Sequence, residues 1–169
     1  KVFLMCVGRK AHDVLKREFS DDVLELFTGI GRRGVIYTEG AEVAQKVSQL
    51  FEEEQFDVCS IVFNKFKSAM TQIVTEQQLI PFSPEASESG VENNPSSNAD
   101  YIFEPDEEDI LSDLLPQNLS IQVFQAMLES AASEHGARMA AMDSATRNAG
   151  DMIDGLTLTY NRTRQAFIT

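Results

Sequence analysis

A glycine followed by two basic residues is the first place in the chain that could bind a phosphate group. Gly8, Arg9 and Lys10 come directly after the apolar run 1–7, where phosphate loops lie in α/β proteins. The stretch has neither the GxxxxGK(S/T) spacing nor the GxGxxG spacing of phosphate-binding loops. The residues therefore favour an ordinary strand-to-helix turn over a nucleotide site.

The chain contains few residues that could bind a metal ion or act as a general acid or base. It contains two histidines, His12 and His135, whereas zinc sites take three or four His, Cys or carboxylate ligands. The acidic cluster 106–113 could hold a cation, but acidic residues at a helix start are more simply explained by the helix dipole. No Ser–His–Asp or Cys–His arrangement is visible. We expect no catalytic centre, no metal and no cofactor.

The two cysteines lie in apolar, strand-like runs. Cys6 and Cys59 are too few for a disulfide framework in a chain of 169 residues. We expect two buried free thiols, which fits a reducing compartment.

The first 82 residues alternate short apolar runs with stretches of helical periodicity, which predicts a partial α/β domain. Its sheet is expected to be mostly parallel, with flanking helices. The last two strands should pair through a turn at 65–69. We expect strands at 1–7, 23–28, 57–66 and 70–80, a helix after Gly8 that runs to about Phe19, and a helix from a cap at Thr38 to about Leu50.

The middle of the chain is acidic and poor in large apolar residues. Residues 83–99 are rich in Ser, Asn, Pro and Glu and predict a flexible acidic loop. Residues 100–116 predict a helix start crowded with carboxylates, and Pro116 predicts a kink or a break.

Residues 117–169 predict one long helix with a coiled-coil stripe, about 80 Å in length. Apolar or small residues recur at alternating spacings of four and three, the pattern of a coiled-coil seam rather than of a helix lying on a sheet. A histidine in such a seam is typical of a polar residue that fixes register. The seam consists of Leu128, Ala132, His135, Met139, Met142, Thr146, Ala149, Ile153, Leu156, Tyr160, Thr163 and Phe167.

The net charge of −13 is concentrated in the middle of the chain and excludes some classes of partner. Residues 68–137 contain thirteen acidic residues and no Lys or Arg. The chain therefore lacks the basic patch that is typical of nucleic-acid-binding proteins. The sequence contains no run of about 18 apolar residues, so we expect no direct membrane insertion. The chain starts within an apolar run and stops within the heptad pattern, so we expect a piece of a longer protein.

Several stretches resemble one family, the γ subunits of F-type ATP synthases, in its mitochondrial and related bacterial form. The stretch 132–169, with its SE–ARM–AM–AT–NA series and its NRTRQA–IT ending, is similar to the C-terminal helix of that subunit. The YIFEPD hexapeptide at 101–106 and the FNKF–TQ residues within 63–72 are similar to its central domain. The resemblance covers nearly the whole chain and is weakest over 19–37 and 83–99.

The resemblance implies a central rotor shaft that is not itself catalytic. The partner of the seam would be the subunit's own N-terminal helix, which is missing from this chain. The shaft would turn inside an α3β3 hexamer, with catalysis on the β subunits. The foot domain would rest on the c-ring and on an ε-type subunit, called δ in mitochondria. The complex would be peripheral on the matrix side of the mitochondrial inner membrane or the cytoplasmic side of a bacterial plasma membrane.

The resemblance also implies two groups of contact residues. Arg164, Gln165 and Thr169 match the residues that form a catch with an acidic loop of β. Tyr101 and Glu104 match the residues that face the ε-type subunit and the c-ring.

Two other functions remain open from the residues alone. A coiled-coil scaffold or adaptor with an α/β module would be non-enzymatic and would self-dimerise through the seam. An α/β domain with its own small-molecule chemistry would carry a pocket at the C-terminal ends of its strands.

Overall fold

The computed structural model describes residues 1–31, 34–82 and 107–168, without the side chains of 107–109. Several residues and segments that the sequence singled out therefore lie outside the described residues. They are the acidic loop 83–99, residues 100–106 of the expected helix start with the contact residues Tyr101 and Glu104, and the last catch residue, Thr169.

The chain opens with a strand–helix–strand unit. β1 (Leu4–Val7) and β2 (Val23–Phe27) pair in parallel, and α1 (Arg9–Phe19) connects them. Gly8 forms the turn between β1 and α1 with φ 107°, a conformation that favours glycine, and its N–H donates to the Phe27 carbonyl at 2.9 Å. Gly8 therefore serves the strand-to-helix turn that the sequence favoured.

A long helix and a hairpin follow. α2 spans Tyr37–Glu52, β3 spans Cys59–Ser68 and β4 spans Thr71–Ile80. α2 begins one residue before the expected cap Thr38; the Glu39 carboxylate instead accepts hydrogen bonds from the N–H groups of Gly31 and Ile36. β3 and β4 pair antiparallel, as the predicted turn requires.

The fold class is confirmed as small sheets with helices and a long C-terminal helix, but the strands divide differently from a single, mostly parallel sheet. The parallel pair β1–β2 and the antiparallel pair β3–β4 are separate two-stranded sheets among the described residues. A hairpin forms because only two residues, 69 and 70, separate β3 from β4, and a parallel crossover needs a dozen or more.

The apolar core lies between α2, β4 and the last helix. Val43, Ala44 and Val47 of α2 pack with Leu79 of β4 and with Val123, all of them buried. Met5, Phe27 and Ile30 pack against this cluster from the side of the parallel pair. α2 therefore joins the two sheets to the long helix.

The last helix, α3, spans Glu107–Ile168 and has 62 residues, which makes it about 90 Å long. It continues through Pro116, where the sequence predicted a kink or a break. The Ser120 hydroxyl donates to the Pro116 carbonyl at 2.9 Å. Residues 107–116 and 117–168 therefore belong to one helix, without a break at Pro116.

Candidate functional site

The lower part of α3, residues 119–140, has two opposite faces with different roles. Leu119, Val123 and Ala126 are buried, with exposed fractions of 8, 1 and 2%. Successive helical residues turn by about 100°, so Leu128, nine residues after Leu119, lies about 180° away from it. The seam therefore begins on the face opposite to the one that the domain buries.

Hydrogen bonds fix the buried face of α3 to the edge of strand β3. The Ser133 hydroxyl, on a residue 2% exposed, donates to the Asn64 carbonyl at 2.9 Å. The Asn64 N–H donates to the Ser130 hydroxyl at 3.3 Å, and the Phe66 N–H donates to the Glu129 carboxylate at 2.7 Å. Side chains of α3 thus satisfy the edge of β3 that β4 does not reach, and an unsatisfied edge is a liability in a sheet.

Two glycines let other elements approach α3 closely. A Cβ built on Gly136 would lie 2.9 Å from Cε2 of Phe66 and 3.2 Å from Cα of Ala69. A Cβ on Gly40 of α2 would lie 3.0 Å from Cβ of Phe124 on α3. The lower part of α3 is thus clamped between α2 and the β3–β4 hairpin.

The heptad pattern did not predict this second, buried face of α3. It predicted a coiled-coil helix rather than one lying on a sheet, whereas residues 119–136 also bury a face against α2 and the hairpin, and the seam residues at the same height are exposed. The signal that could have found the face is a second series, 119, 123, 126, 130 and 133, with the same alternation of four and three. Serine at its last two positions hid it, because they contribute hydrogen bonds instead of apolar area.

Beyond residue 140 the helix has no buried residue in the range that the structure describes. All twelve seam residues are exposed, from Leu128 at 43% and Leu156 at 64% to Phe167 at 87%. A mostly apolar stripe of this length, interrupted only by His135, Thr146 and Thr163, is far larger than the patches that monomeric proteins leave exposed. The seam is therefore the candidate functional site, and its chemistry is that of helix pairing.

The face away from the seam is polar. Arg138 pairs with Glu134 and Arg147 pairs with Asp143, each four residues apart on the helix. Such pairs stabilise a helix by about 0.2–0.5 kcal/mol each. They make the outer face soluble without holding the helix to anything else.

The residues expected to form the catch lie near the end of α3. Arg164 and Gln165 are exposed, and Arg162 lies close by with its side chain also in solvent. In the described part of the chain neither arginine makes an ion pair, which leaves both guanidinium groups available to an acidic partner.

The titratable groups show no constellation for catalysis among the described residues. No group of three His, Cys, Asp or Glu there could hold a metal ion. His12 packs with 19% of its side chain exposed and lies 3.6 Å from the Asp13 carboxylate, while His135 is exposed on the seam. Burial raises the pKa of the Cys6 and Cys59 thiols, and both cysteines are free.

A helix that crosses a bilayer needs about twenty consecutive, mainly apolar residues. In the ranges 1–31, 34–82 and 107–168, no helix combines that length with the apolar character required.

A family model described as ATP synthase matches residues 1–169. A protein of Paramagnetospirillum magneticum named ATP synthase gamma chain is 52% identical over 98% of this chain and 56% of its own length. One of the same name from Rhodospirillum rubrum is 49% identical over 99% of this chain and 57% of its own length. The chain thus spans little more than half the length of these relatives.

Solved structures give the same likeness in three dimensions. The central stalk and c-ring structure of Tetrahymena thermophila mitochondrial ATP synthase matches with a TM-score of 0.64 at 25% identity, over 85% of this chain and 60% of that one. A rotor structure of the Euglena gracilis mitochondrial ATP synthase matches with a TM-score of 0.65 at 21% identity, over 100% of this chain and 64% of that one, and supports the fold alone.

Proposed function

This chain belongs to the ATP synthase family, and because its relatives there are γ chains, we propose that it forms part of the central rotor shaft of such an enzyme. α3 is one strand of the shaft. Residues 1–82 form part of the foot that carries it. The chain is a coupling element and is not itself catalytic.

The observation that carries this proposal is the exposed seam of α3. Twelve residues at heptad spacing face solvent, and the helix has no buried residue from 141 to 168 in the part that the structure describes. A helix of this kind is stable in water mainly through a second helix on its apolar stripe. We assign that role to the N-terminal helix that the resemblance to γ subunits implies, here called the partner helix; the chain spans 56% of the length of a γ-chain relative, which leaves room for such a helix.

The shaft would transmit rotation because its lower part, residues 119–140, is held rigidly by the domain, and because its upper part, residues 141–168, has unequal faces. The clamp formed by α2 and the hairpin holds the lower part of α3, so a torque on the foot reaches the helix through packed atoms. The upper part would turn inside an α3β3 hexamer, and its unequal faces would drive the β subunits through their states. The foot would rest on the c-ring and on an ε-type (δ in mitochondria) subunit.

The location follows from the same proposal. The complex would be peripheral on an energy-transducing membrane, on the matrix side in mitochondria or on the cytoplasmic side in bacteria. Tyr101 and Glu104 are proposed as contacts with the ε-type subunit and the c-ring.

Arg164, Gln165 and Thr169 are proposed as the catch with an acidic loop of β. The exposed guanidinium of Arg164 supports this role, since arginine can pair with a carboxylate through two parallel hydrogen bonds. The region from Arg138 onward carries four basic and three acidic residues, so an acidic loop would not be repelled there.

The test is the double variant Arg164→Ala with Gln165→Ala in the complete complex reconstituted with α3β3. Losing charged hydrogen bonds of about 1.5–3 kcal/mol should lower ATPase turnover roughly tenfold. The control is Arg147→Ala, which removes an exposed arginine already paired with Asp143 on its own helix.

Turnover that falls in the double variant but not in the control would support the catch. Unchanged turnover in the double variant would reject it. Failure of the full-length protein to co-purify with α3β3, together with self-dimerisation through the seam, would reject the shaft and favour a scaffold.

A further inference from the structure

A groove lies where the lower end of the seam meets the β3–β4 hairpin. Its volume is about 250 Å³, enough for one large apolar side chain. The hairpin contributes Phe66 to it, and α3 contributes Gln125, Leu128, Glu129 and Ala132. We call it the hairpin groove. Because Leu128 and Ala132 are the first two seam residues, the groove is continuous with the exposed seam.

The wall that Phe66 forms is held in place from two directions. Its N–H donates to the Glu129 carboxylate at 2.7 Å, and Cε2 of its ring lies 2.9 Å from the position a Cβ on Gly136 would take. The ring is nevertheless 40% exposed, and Leu128 is 43% exposed. Phe66 thus stands in a fixed position, and it and Leu128 both leave apolar surface exposed.

The position of the groove around α3 decides what can fill it. Glu129 lies about 100° from Leu128 around the helix, towards the hairpin side that also carries Gly136. A helix packed on the seam at the usual distance of 8–10 Å would therefore run beside Phe66 at this height. A side chain of that helix would contact two elements at once, α3 and the hairpin.

We propose that the hairpin groove receives one large apolar side chain of the partner helix, so that the hairpin fixes the register of the shaft at its base. This inference rests on the proposed function, because the occupant is the helix assigned there to the seam. A heptad seam alone permits slippage by seven residues, since every heptad offers a similar hole. A single seat at the lower end of the seam, walled by the hairpin, removes that freedom.

The hairpin groove also gives a path for force. The hairpin is hydrogen-bonded to α3 through Asn64 and Phe66. A partner side chain packed against Phe66 would place both shaft helices in contact with the same hairpin. Rotation of the foot would then act on both strands of the shaft and not on α3 alone.

Photo-crosslinking in the full-length protein, assembled in its complex, tests the seat. Gln125→Cys and Met142→Cys each carry a maleimide-linked benzophenone, and the crosslinked peptides are mapped by mass spectrometry. The groove residue Gln125 and the seam residue Met142 are 17 positions apart, so both should crosslink to the partner helix at sites about 17 residues apart. Met70→Cys is the control, since Met70 lies in the same hairpin, 87% exposed and outside the groove.

A second pair of variants separates the seat from the seam. Phe66→Ala should lower the crosslinking yield from position 125 several-fold and leave that from position 142 unchanged, because only the groove loses its wall. Val62→Ala is the matched control, since Val62 is an exposed residue of the same strand, 67% in solvent, and does not line the groove. Phe66→Leu, which keeps an apolar wall, should restore most of the yield if Phe66→Ala also weakens folding.

The outcomes distinguish the two proposals. Crosslinks from 142 to the partner helix without crosslinks from 125, or a yield from 70 equal to that from 125, would overturn the groove and leave the shaft. Crosslinks from neither 125 nor 142 to the partner helix would overturn both. A yield from 125 that is unaffected by Phe66→Ala would show that Phe66 forms no seat.

Discussion

Single glycines mark where α3 is packed and where it is free. Gly136 has the Phe66 ring and the Ala69 backbone against it, whereas Gly150 and Gly155 have nothing within 4 Å of the position that a Cβ would take. The same residue type in one helix therefore serves close approach in one place and only lowers helix propensity in the other.

The pair Gly136→Ala and Gly150→Ala should change stability in opposite directions. Gly136→Ala should destabilise the domain by about 1–3 kcal/mol, because the added methyl group meets backbone atoms of Ala69 that cannot move aside cheaply. Gly150→Ala should stabilise the free part of the helix by up to about 1 kcal/mol. Urea denaturation measures the first effect, and helical circular dichroism of the chain measures the second. Equal effects of the two substitutions would contradict the assignment of clamped and free segments.

The two thiols should react slowly near neutral pH. Burial raises the pKa of Cys6 and Cys59, so the fraction of reactive thiolate stays low until the pH passes the ordinary value of about 8.5. Their neutral form is favoured by folding, so the associated stability is complete below that pH and is lost as the pH rises through the folded pKa. A thiol-reagent titration against pH measures this, with an added exposed cysteine, Gln125→Cys, as the reference. Native thiols that react as fast as the reference at pH 7 would show that they are not buried.

At the scale of elements, α3 is one continuous helix whose two parts have different surroundings. From 119 to 136 it behaves as a domain helix, buried against α2 and bonded to β3. From 141 to 168 every residue that the structure describes is exposed, so its stability there depends on an external partner. The seam spans both parts because its residues are not among those that the domain buries.

Leu156→Asp should weaken the pairing of the seam, whereas Leu158→Asp should not. Both leucines are exposed, at 64 and 61%, but two residues turn the helix by about 200°, so only Leu156 faces along the seam. A carboxylate buried without a partner between two helices costs several kcal/mol. Thermal unfolding of the full-length protein, which includes the partner helix, should show a lower midpoint for Leu156→Asp only. A loss of the same size for Leu158→Asp would remove the seam assignment.

At the scale of the whole molecule, stability should be unevenly distributed. The core of α2, β4 and the lower part of α3 is packed, and residues 141–168 of α3 are exposed throughout the part that the structure describes. Segments of this kind open with free energies near zero, while core segments approach the global value.

Hydrogen exchange of residues 1–169 alone should therefore divide α3 near residue 140. Amides of 119–136 should be protected, and amides of 141–168 should exchange within about tenfold of the rate of an unfolded chain. In the assembled complex the upper segment should become protected as well. Protection of 141–168 that is already high in the isolated chain, without self-association, would contradict the need for a partner.

The heptad seam, the hairpin at 65–69 and the existence of each helix and strand could be inferred from the sequence, because periodicity and turn residues are local properties of the chain. The family could be inferred too, from the residues of 132–169 and 63–72. What the sequence did not reveal is the second face of α3, because Glu129, Ser130 and Ser133 bind β3 through hydrogen bonds to residues more than sixty positions away. Only the tertiary structure decided that contact and with it the hairpin groove, since polar side chains carry no apolar period and a distant strand edge leaves no trace in local spacing.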